Sequence, residues 1–517
     1  MDAVTLSLFA SRVSAICDEM GAVLRRAAFS PNIKDRLDFS CALFDVRGRL
    51  CAQAAHIPVH LGSMAYAMAE LSAVRDWQPG DMLVLNDPFR GGTHLPDVTL
   101  IAPVFVERRC IGFVANRAHH ADIGADSPGS MPVGTSLQQE GLLIPPTLLV
   151  ENGEVRRDVL DGIVAATHNA VVTEGDFSAQ VSANRSGIRR LQSLAGQLGI
   201  DRYLQGLDAL NAYGARMARA AFGDLPDGEY RFSDVMDDDG QGNRDIVLQV
   251  RVAIRGEHID VDFAGTAPQV AGNINCPLPV TAAAVFYVFR CLMDARTPAC
   301  AGSFETITLR APPGCLLNAQ PPAAVAAGNV ETSSRVVDLV LGALAAAVPE
   351  RVAAASQGSM NNVAMGARGG GGDWDYYETL GGGMGAGAFG GGLHAVQTHM
   401  TNTLNTPIEV LEANWPVRID RYAVRRGSGG RGRRCGGDGL IREYRFLAPA
   451  RVTLLTERRR HRPWGIQGGE PGQGGENRLN GKPLPAKVAL QVQAGDRLEI
   501  HTPGGGGFGV PDLLPDP

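Results

Sequence analysis

The hydrophobic positions of the first third of the chain predict one long helix followed by short strands. Apolar residues from Val4 to Leu24 recur near a 3.6-residue period, which predicts an amphipathic helix over residues 4–28 that ends before Pro31. Two apolar runs on either side of Gly48 predict a β-hairpin. Three further strands, each next to a polar loop, are predicted at residues 82–85, 98–105 and 111–115.

The pattern changes further along the chain. Residues 156–220 have the apolar spacing of helices, whereas residues 228–264 form the short runs typical of strands, so we place a boundary near residue 225. Residues 366–392 are so rich in glycine that we predict loops there, because glycine disfavours regular structure. Alanine- and valine-rich runs predict buried helices at residues 279–294 and 333–348.

These patterns predict an α+β fold, in a multi-domain chain that mixes helices and sheets. Strand-like runs after residue 415 predict a β-rich C-terminal unit. We therefore divide the chain into an N-terminal domain (residues 1–224), a central mixed α/β domain with glycine-rich loops (225–415) and a C-terminal β-rich unit (416–517).

The composition is typical of a soluble globular protein. Of 517 residues, 44% are hydrophobic and 20% charged, and there is no apolar run of the roughly 18 residues that a membrane helix needs. The formal net charge of −6 argues against nucleic acid as a partner, because binding to phosphate backbones requires a basic face.

The nine cysteines argue against a disulfide framework or a zinc knuckle. Their number is odd and no two have C-x-x-C spacing. The first 20 residues lack the basic region and the cleavage site of a secretory signal. We therefore expect a cytoplasmic protein.

The most informative segments for chemistry are two histidine–aspartate pairs. His94 precedes Asp97 in HLPD, and His119 precedes Asp122 in HHAD. Imidazole nitrogen and carboxylate oxygen are the ligands expected for Zn, Mn or Fe, and loops at strand ends bring distant residues together. The alternative is that these are loop histidines hydrogen-bonded to the backbone.

Local geometry limits which of these side chains share an ion. Residues three apart on an extended strand face opposite sides, so the chain must turn at Leu95–Pro96 if His94 and Asp97 are both ligands. A proline at the third position of a four-residue turn predicts either a cis Leu95–Pro96 bond or a wider arc. Because adjacent residues of a strand point in opposite directions, we expect at most one of His119 and His120 to be a ligand.

Two acidic residues upstream have alternative roles. Asp35 and Asp38 lie in the segment SPNIKDRLDFS, and either could supply a further carboxylate. Spacing alone favours a structural role, in which Asp38 holds a turn and Asp35 is solvated between two basic neighbours. His56 and His60 are separated by Pro58, which disfavours a shared helix, so we expect them only to line the site or support a ligand.

Several common functional motifs are missing from the sequence. There is no G-x-x-x-x-G-K-[ST] phosphate loop, no G-x-S-x-G segment and no recognisable cysteine nucleophile. The acidic run 237–240 resembles a calcium loop, but Leu248 stands where that loop requires glutamate. The basic segment ERRRHRPWG (457–465) is interpreted as a solvated or salt-bridged face, with a site for phosphate or an acidic partner as the alternative.

Eight long segments, in order along nearly the whole chain, resemble those of one known family. They are SPNIKDRLDFSCALFDVRGRLCAQAAHIPVHLGSM, GDMLVLNDPFRGGTHLPDVTLIAPVF, ANRAHHADIG, GDFSAQVSANRSG, NVETSSRVVD, HMTNTLNTPIEVLEANWPVRIDRYAVRRGSGG, RPWGIQGGEPG and TPGGGGFG. This set resembles the hydantoinase B/oxoprolinase family.

The resemblance implies a two-part, ATP-dependent system. An actin-like partner of the hydantoinase A type binds ATP and activates a carbonyl or bicarbonate oxygen as a phosphate, and the B-type chain supplies a metal centre where the activated species reacts. Such proteins open cyclic amides such as N-methylhydantoin, 5-oxoproline or lactams. Related ketone carboxylases add bicarbonate to acetone or acetophenone and often need a third, small subunit.

The resemblance also implies a set of site residues. Arg117 and His120 become candidate catalytic residues that orient the substrate or transfer a proton. Asp38 remains an alternative to Asp35, since relatives often carry glutamate at the latter position. The implied cofactor is one divalent ion, Mn or Zn, with the ligands Asp35, His94, Asp97 and His119.

Our leading hypothesis is the metal-bearing subunit of a cyclic amide hydrolase that works with a hydantoinase A-type ATPase subunit in a hetero-oligomer. The first alternative is a ketone carboxylase subunit that uses bicarbonate at the same metal. The others are a non-catalytic subunit whose metal organises the assembly, and a stand-alone hydrolase that does not need ATP.

Overall fold

A computed structural model describes residues 1–72, 75–369 and 373–511. The architecture is α+β with several sheets, as the pattern predicts. The helices are α1 (Ala3–Ala27), α2 (Pro31–Lys34), α3 (His60–Leu71), α4 (Arg157–Ala165), α5 (Ala170–Leu198), α6 (Ile200–Gly223), α7 (Leu278–Cys291), α8 (Ser333–Leu344) and α9 (Ile408–Asn414).

The strands form one seven-stranded sheet, two four-stranded sheets and one five-stranded sheet within these residues. The first ten are β1 (Phe39–Phe44), β2 (Leu50–Ala55), β3 (Met82–Leu85), β4 (Asp97–Val106), β5 (Arg109–His119), β6 (Thr147–Glu151), β7 (Glu154–Val155), β8 (Gly228–Asp238), β9 (Arg244–Arg255) and β10 (His258–Asp262). The others are β11 (Ile307–Arg310), β12 (Asn362–Ala367), β13 (Trp374–Glu378), β14 (Val417–Arg425), β15 (Gly439–Phe446), β16 (Ala450–Leu455), β17 (Glu476–Leu479), β18 (Lys482–Leu484), β19 (Lys487–Val492) and β20 (Arg497–His501).

The seven-stranded sheet forms the core of the N-terminal part, in the order β2-β1-β5-β4-β3-β6-β7. Its paired strands are all antiparallel. Helices α1 and α5 cover one face, where Phe9 and Met20 join the same buried cluster as Val98 and Ala118 of the sheet. Helix α3 covers the other face through Met64 and its neighbours. The central strands are therefore buried on both sides, which explains their nearly continuous apolar sequence.

The N-terminal predictions are confirmed with one extension. The predicted long helix, the hairpin around Gly48 and the three strands are all present. Strand β5 continues four residues beyond its predicted end at Ala115, as far as His119. The extension is stable because β1 and β4 flank it on both sides and provide backbone partners for polar residues that a sequence pattern assigns to a loop.

The predicted helix-rich segment and the change to strands near residue 225 are also confirmed. Helix α6 ends at Gly223 and β8 begins at Gly228. One four-stranded sheet has the order β13-β12-β16-β19 and so pairs strands from both sides of residue 415. The proposed division into three domains stays a prediction.

The glycine-rich segment 366–392 is only partly a loop. Strand β13 lies inside it and pairs with β12, so the prediction is wrong there, and residues 370–372 lie outside the described part of the chain. The aromatic residues of DWDYYE explain the strand: Tyr376 is buried in the C-terminal core and Tyr377 in the central one. The glycines around this short segment hide its strand-forming composition.

Several glycine-rich segments pack backbone against backbone. Gly383 N donates to Pro503 O at 2.9 Å, Gly437 N donates to Met384 O at 2.8 Å, and Gly505 N donates to Gly437 O at 2.9 Å. A Cβ atom added to Gly505 would lie 2.1 Å from Met384 O. These residues must be glycine because no side chain fits between the hydrogen-bonded chains.

The basic segment 457–465 contributes to interior ion pairs. Arg458 is buried and its Nη2 lies 2.6 Å from Asp338 and 2.9 Å from Asp234. Glu457 lies 2.6 Å from the ammonium of Lys487. The salt-bridged interpretation of this segment is therefore confirmed for its first residues. In the described part of the chain, the helices fall short of the length and apolar character required to cross a membrane.

The glycine packing generates a stability prediction. Gly505→Ala should lower the midpoint of thermal unfolding by several °C, because the new methyl group meets a main-chain carbonyl that cannot rotate away. Gly390→Ala is the matched control: it lies in the same kind of segment, but its Cβ would meet nothing within 4 Å. Calorimetry on both variants tests this, and equal midpoints would contradict the packing argument.

Candidate metal centre

Strand register brings three side chains of the predicted site into one row. Asp97 begins β4 and lies directly opposite His119, the last residue of β5. On the other side of β5, Phe39 of β1 pairs with Ala118, and His119 N donates to Asp38 O at 3.0 Å. Because residues paired across antiparallel strands point to the same face, His119 and Asp97 share one side of the sheet, and Asp38 lies next to His119 just before β1 begins.

His94 joins this row through a tight turn. Asp97 N donates to His94 O at 3.1 Å, and the Asn86 side chain holds the turn by donating to Leu95 O at 2.8 Å. In the described part of the chain, the one cis peptide bond joins Pro321 and Pro322. The Leu95–Pro96 bond is therefore trans, and the predicted alternative of a cis bond there is wrong. The chain turns at Leu95–Pro96 with a trans bond, because the side chain of Asn86 supplies the hydrogen bond that stabilises this arc.

The resulting cluster has the spacing of metal ligands. His94 Nε2 lies 3.3 Å from Asp97 Oδ1, His119 Nδ1 lies 3.3 Å from the same oxygen, and the two nitrogens are 3.2 Å apart. Donor atoms bound at about 2.1 Å in a tetrahedral site lie about 3.4 Å apart, so these three atoms fit around one divalent ion. All three residues are buried, which makes the cluster a costly arrangement unless a cation balances the carboxylate.

Two more residues fix the second oxygen of Asp97. Thr93 Oγ1 donates to Asp97 Oδ2, and His60 Nε2 lies 3.4 Å from that oxygen. His60 Nδ1 contacts Ser40 Oγ at 2.9 Å, which orients its ring. Burial alone would raise the pKa of Asp97, but the charge of His94 and hydrogen bonds from His119 and His60 hold that pKa well below its usual range. Asp97 is therefore ionised, with Oδ1 directed at the cluster. The supporting role predicted for His60 has this geometric basis.

The ring of His119 is fixed by a residue from the other half of the chain. It stacks on Tyr377, with ring centroids 4.8 Å apart and planes 9° apart. The Tyr377 hydroxyl donates to Asn362 Oδ1 at 2.6 Å, which fixes the ring in turn. Burial lowers the pKa of His119, more than Asp97 and Asp38 raise it, so the imidazole is kept neutral as a ligand requires.

Arg117 lies on the same face as His119, two residues back along β5. It is buried, and its guanidinium donates to Thr99 Oγ1 at 2.8 Å, to Ser63 Oγ at 2.6 Å and to Gly91 O at 2.8 Å. Burial lowers the pKa of Arg117 to about 10. The side chain ties β4, α3 and the loop before His94 together, so every nitrogen of its guanidinium already has a protein partner.

His120 and Asp122 lie apart from the cluster. His120 points to the opposite face of the sheet, where Nε2 contacts Gln180 Oε1 of α5 at 2.9 Å. Asp122 accepts hydrogen bonds from Gly124 N at 2.8 Å and Asn169 N at 3.2 Å, so it holds a turn and the start of α5. Of the two histidine–aspartate pairs, only the first stays together. His119 and His120 point to opposite faces of the sheet, as expected from the alternation of residues along a strand.

The two upstream carboxylates differ in position. Asp38 stands opposite His119 and is close enough for its charge to raise the pKa of that histidine. Asp35 lies three residues earlier, at the end of α2. In the described part of the chain, the residues whose ligand atoms lie within 4.8 Å of one another are His94, Asp97 and His119, so neither Asp35 nor Asp38 belongs to that group. Asp35 Oδ2 is buried without a hydrogen-bond partner among the described residues.

Sequence reasoning missed a further buried carboxyl group near His94. Glu140 accepts hydrogen bonds from Val325 N at 2.9 Å and from Ala326 N at 2.8 Å. Burial raises the pKa of Glu140 to about 7, although those hydrogen bonds and the charge of His94 lower it. Glu140 and Tyr377 are far from the histidines in sequence and belong to no motif with known ligand spacing, so only the folded chain reveals them.

Comparison with known proteins places these features in a family. A family model described as Hydantoinase B/oxoprolinase matches residues 2–511. The chain is 39% identical to 5-oxoprolinase 1 from Arabidopsis thaliana over 98% of its own length and 42% of that protein. It therefore spans about two fifths of that relative.

Two solved structures have the same fold. The ATP-dependent caprolactamase from Pseudomonas jessenii matches with a TM-score of 0.92 and 28% identity, over 99% of this chain and 92% of that chain. The nucleotide-free structure of an acetone carboxylase matches with a TM-score of 0.88 and 18% identity, over 98% of this chain and 76% of that chain. At this lower identity the similarity shows the fold alone.

The raised pKa of Glu140 generates a pH prediction. A carboxyl group whose pKa is about 7 when folded and about 4.5 when unfolded stabilises the fold below about pH 4.5, and this contribution is lost as the pH rises through about 7. The prediction concerns the free energy of unfolding of the wild type minus that of Glu140→Gln, both measured without metal. This difference should decrease by on the order of 3 kcal/mol as the pH rises over that range. Urea unfolding at both ends of the range measures this difference.

The exposed Glu350 provides the control for that experiment. Glu350→Gln should leave the pH dependence of stability as in the wild type. A difference between the wild type and Glu140→Gln that stays constant, or grows with pH, would contradict the assignment.

Proposed function

The chain belongs to the hydantoinase B/oxoprolinase family, and we propose that it is the metal-bearing subunit of an ATP-dependent cyclic amide hydrolase. In this proposal a separate actin-like ATPase subunit of the hydantoinase A type binds ATP and activates the substrate carbonyl. The activated amide then reacts at the centre formed by His94, Asp97 and His119.

The observation that carries this proposal is the buried triangle of two imidazole nitrogens and one carboxylate oxygen. Neutral nitrogen and anionic oxygen donors suit both Zn and Mn. A divalent ion held there would lower the pKa of bound water towards about 7 and polarise a carbonyl oxygen. His60 and Thr93 hold Asp97 so that Oδ1 faces the cluster, and Tyr377 holds the plane of the His119 ring.

We assign the fourth ligand position to Asp38 rather than Asp35. Asp38 O accepts a hydrogen bond from His119 N, and the charge of Asp38 raises the pKa of His119, whereas Asp35 caps the end of α2 three residues earlier. A second carboxylate would balance the charge of a divalent ion in this buried site.

For Arg117 and His120 we propose positioning roles in place of the catalytic roles that the resemblance implies. The three hydrogen bonds of Arg117 fix the strand that carries His119. His120 is bonded to α5 on the far side of the sheet, which supports a role in fixing the end of β5.

The need for an ATPase partner has independent support. The sequence lacks a phosphate loop, yet the matching caprolactamase is ATP-dependent by name. The chain also spans only about two fifths of the plant 5-oxoprolinase, so more than half of that protein has no counterpart in this chain. A hetero-oligomer of this chain with an ATP-binding subunit accounts for both observations.

A ketone carboxylase subunit is the second candidate. The chain shares its fold with an acetone carboxylase, and in this candidate function the metal would hold bicarbonate. The amide hydrolase is preferred because the caprolactamase and the 5-oxoprolinase are more similar in sequence.

The ligand assignment predicts the effect of single substitutions on metal binding. His94→Ala and Asp97→Ala should each weaken Zn or Mn binding by at least about 100-fold, because each removes a donor atom, and His60→Ala by about 10-fold to 100-fold. Equilibrium dialysis with metal analysis measures this, with the exposed His258→Ala as control. If metal is lost but the complex with its ATPase partner still turns over, the metal only organises the assembly.

The choice between the two upstream carboxylates is tested by a matched pair. Asp38→Asn should weaken metal binding by about 10-fold to 100-fold, whereas Asp35→Asn should change it by less than about 2-fold. The same dialysis measurement applies to both. The reverse order would return Asp35 to the ligand set.

The reaction class is tested with the reconstituted complex. An amide hydrolase should consume ATP with hydantoins, 5-oxoproline or lactams and incorporate no label from ¹⁴C-bicarbonate. Label found in the product of acetone or acetophenone would establish the carboxylase instead. Turnover by this chain alone, without ATP, would contradict both two-subunit schemes.

A further inference from the structure

The imidazole of His119 lacks the hydrogen bond that normally orients a metal ligand. A histidine that binds a metal usually donates from its second ring nitrogen to a carboxylate, a carbonyl or water. His119 Nδ1 lies 3.3 Å from Asp97 Oδ1, whereas its Nε2 is buried and has no hydrogen-bond partner among residues 1–72, 75–369 and 373–511. The orientation of this ring therefore depends on its stack on Tyr377.

The Tyr377 side chain is in turn held at both ends. Its main-chain carbonyl accepts from Arg36 Nη1 at 2.7 Å, and Tyr377 pairs with Ala364 of β12. Its hydroxyl donates to Asn362 Oδ1 at 2.6 Å. Burial holds the pKa of Tyr377 well above its usual range, so the hydroxyl keeps its proton and acts as the donor. Because hydrogen bonds are directional, the position of Oδ1 fixes the far end of the ring.

The Asn362 amide presents its oxygen to Tyr377 because acceptors lie beside its nitrogen. Asn362 Nδ2 donates to Glu331 Oε1 at 2.7 Å and to Leu455 O at 3.1 Å. A side-chain amide has two N–H donors and one carbonyl oxygen, so these two contacts turn Oδ1 towards the tyrosine. Without Glu331, the amide would keep one of the two contacts that set this direction.

Glu331 is itself fixed in a buried turn of π-helix, Gly328–Thr332, just before α8. Such turns are rare and frequently occur at functional sites. Glu331 Oε1 also accepts from Met360 N at 3.0 Å. Burial raises the pKa of Glu331 to about 7, although a hydrogen bond from Ser359 lowers it. Both the ionised and the protonated form are therefore present near pH 7, and Oε1 accepts a hydrogen bond in either form.

We propose that Glu331 is a positioning residue for His119 and acts on it through Asn362 and Tyr377. The carboxyl oxygen holds the amide, the amide oxygen holds the hydroxyl, and the tyrosine ring holds the imidazole with Nδ1 towards the cluster. This inference rests on the proposed function, because His119 requires that orientation as a metal ligand.

The alternative is that Glu331 acts through its charge. Its pKa responds to the charges of Glu457 and Lys487, which are paired with each other at 2.6 Å. A role of the charge would depend on ionisation and not on whether the side chain reaches Asn362. The two explanations therefore predict opposite effects of shortening the side chain and of neutralising it.

The test is the affinity of the full chain for Zn²⁺, measured by competition with a chelator. Glu331→Gln removes the charge but keeps an oxygen that reaches Asn362, so binding should stay within about 2-fold of the wild type. Glu331→Asp keeps the charge but is shorter by one methylene group, so it withdraws the acceptor and should weaken binding by about 10-fold. A role of the charge would give the reverse order.

A double-mutant cycle tests whether Glu331 acts through the tyrosine. Tyr377→Phe keeps the stacked ring but removes the hydroxyl, and it should weaken Zn²⁺ binding by about 10-fold. In that background Glu331→Asp should add less than about 2-fold, because the chain of contacts is already broken, whereas independent effects would multiply to about 100-fold. Tyr376→Phe is the matched control: its hydroxyl donates to Glu378 Oε2 at 2.9 Å on the opposite face of β13, so binding should stay within about 2-fold.

Co²⁺ provides a second readout, because the visible absorption of bound Co²⁺ depends on the geometry of its ligands. Glu331→Asp and Tyr377→Phe should change this spectrum in the same way, and Glu331→Gln and Tyr376→Phe should leave it unchanged. Thermal unfolding of each variant separates this pattern from a general loss of packing, which would lower the unfolding midpoint of Tyr376→Phe as well.

Multiplicative effects of Glu331→Asp and Tyr377→Phe would overturn the proposal. So would a Glu331→Gln variant that binds as weakly as Glu331→Asp, or a Tyr376→Phe variant that binds as weakly as Tyr377→Phe. A wild type that binds neither Zn²⁺ nor Co²⁺ would overturn this inference and the proposed function together, whereas metal binding without turnover by the complex would contradict the proposed function alone.

Discussion

The candidate site depends on one constraint, the antiparallel register of β1, β5 and β4. His119 and Asp97 stand side by side at the ends of β5 and β4, and Asp38 lies next to His119 just before β1, because backbone hydrogen bonds align each pair of strands. A slip of one residue in the pairing of β4 with β5 would turn His119 or Asp97 to the opposite face. Arg117, bonded to β4, α3 and the loop before His94, opposes such a slip.

Residues from the second half of the chain also contact the candidate site. Tyr377 of β13 packs on His119, and Arg36 donates to Tyr377 O at 2.7 Å. Val325 and Ala326 provide the backbone donors for Glu140. Strand β13 is anchored by β12, which belongs to a sheet shared with the C-terminal strands. The cluster of His94, Asp97 and His119 is therefore buried by contacts between segments hundreds of residues apart.

Buried charge is compensated locally throughout this region. Arg458 lies between Asp234 and Asp338, and Lys487 and Arg335 both contact Glu457. Removing one partner from such a network leaves an uncompensated charge in the interior, which costs more than the pair itself contributes. The cluster of His94, Asp97 and His119 differs, because its single carboxylate faces imidazole nitrogens rather than a guanidinium or an ammonium group. That difference distinguishes this candidate cation site from the structural ion pairs nearby.

The sequence by itself determined the α+β class, the long first helix, the β-hairpin, the strands that lead to the histidines, and the pair His94 and Asp97. These follow from local periodicity and short spacing, which depend on few neighbours. The residue pattern also singled out His119, and the family resemblance, now confirmed, implied that it is a ligand together with His94 and Asp97. The tertiary structure decided the rest: that β5 continues to His119, that DWDYYE is a strand, that Asp38 rather than Asp35 lies beside His119, and that Tyr377 and Glu140 approach the cluster. Each of these is set by pairing or packing with residues far along the chain, so no local pattern contains it.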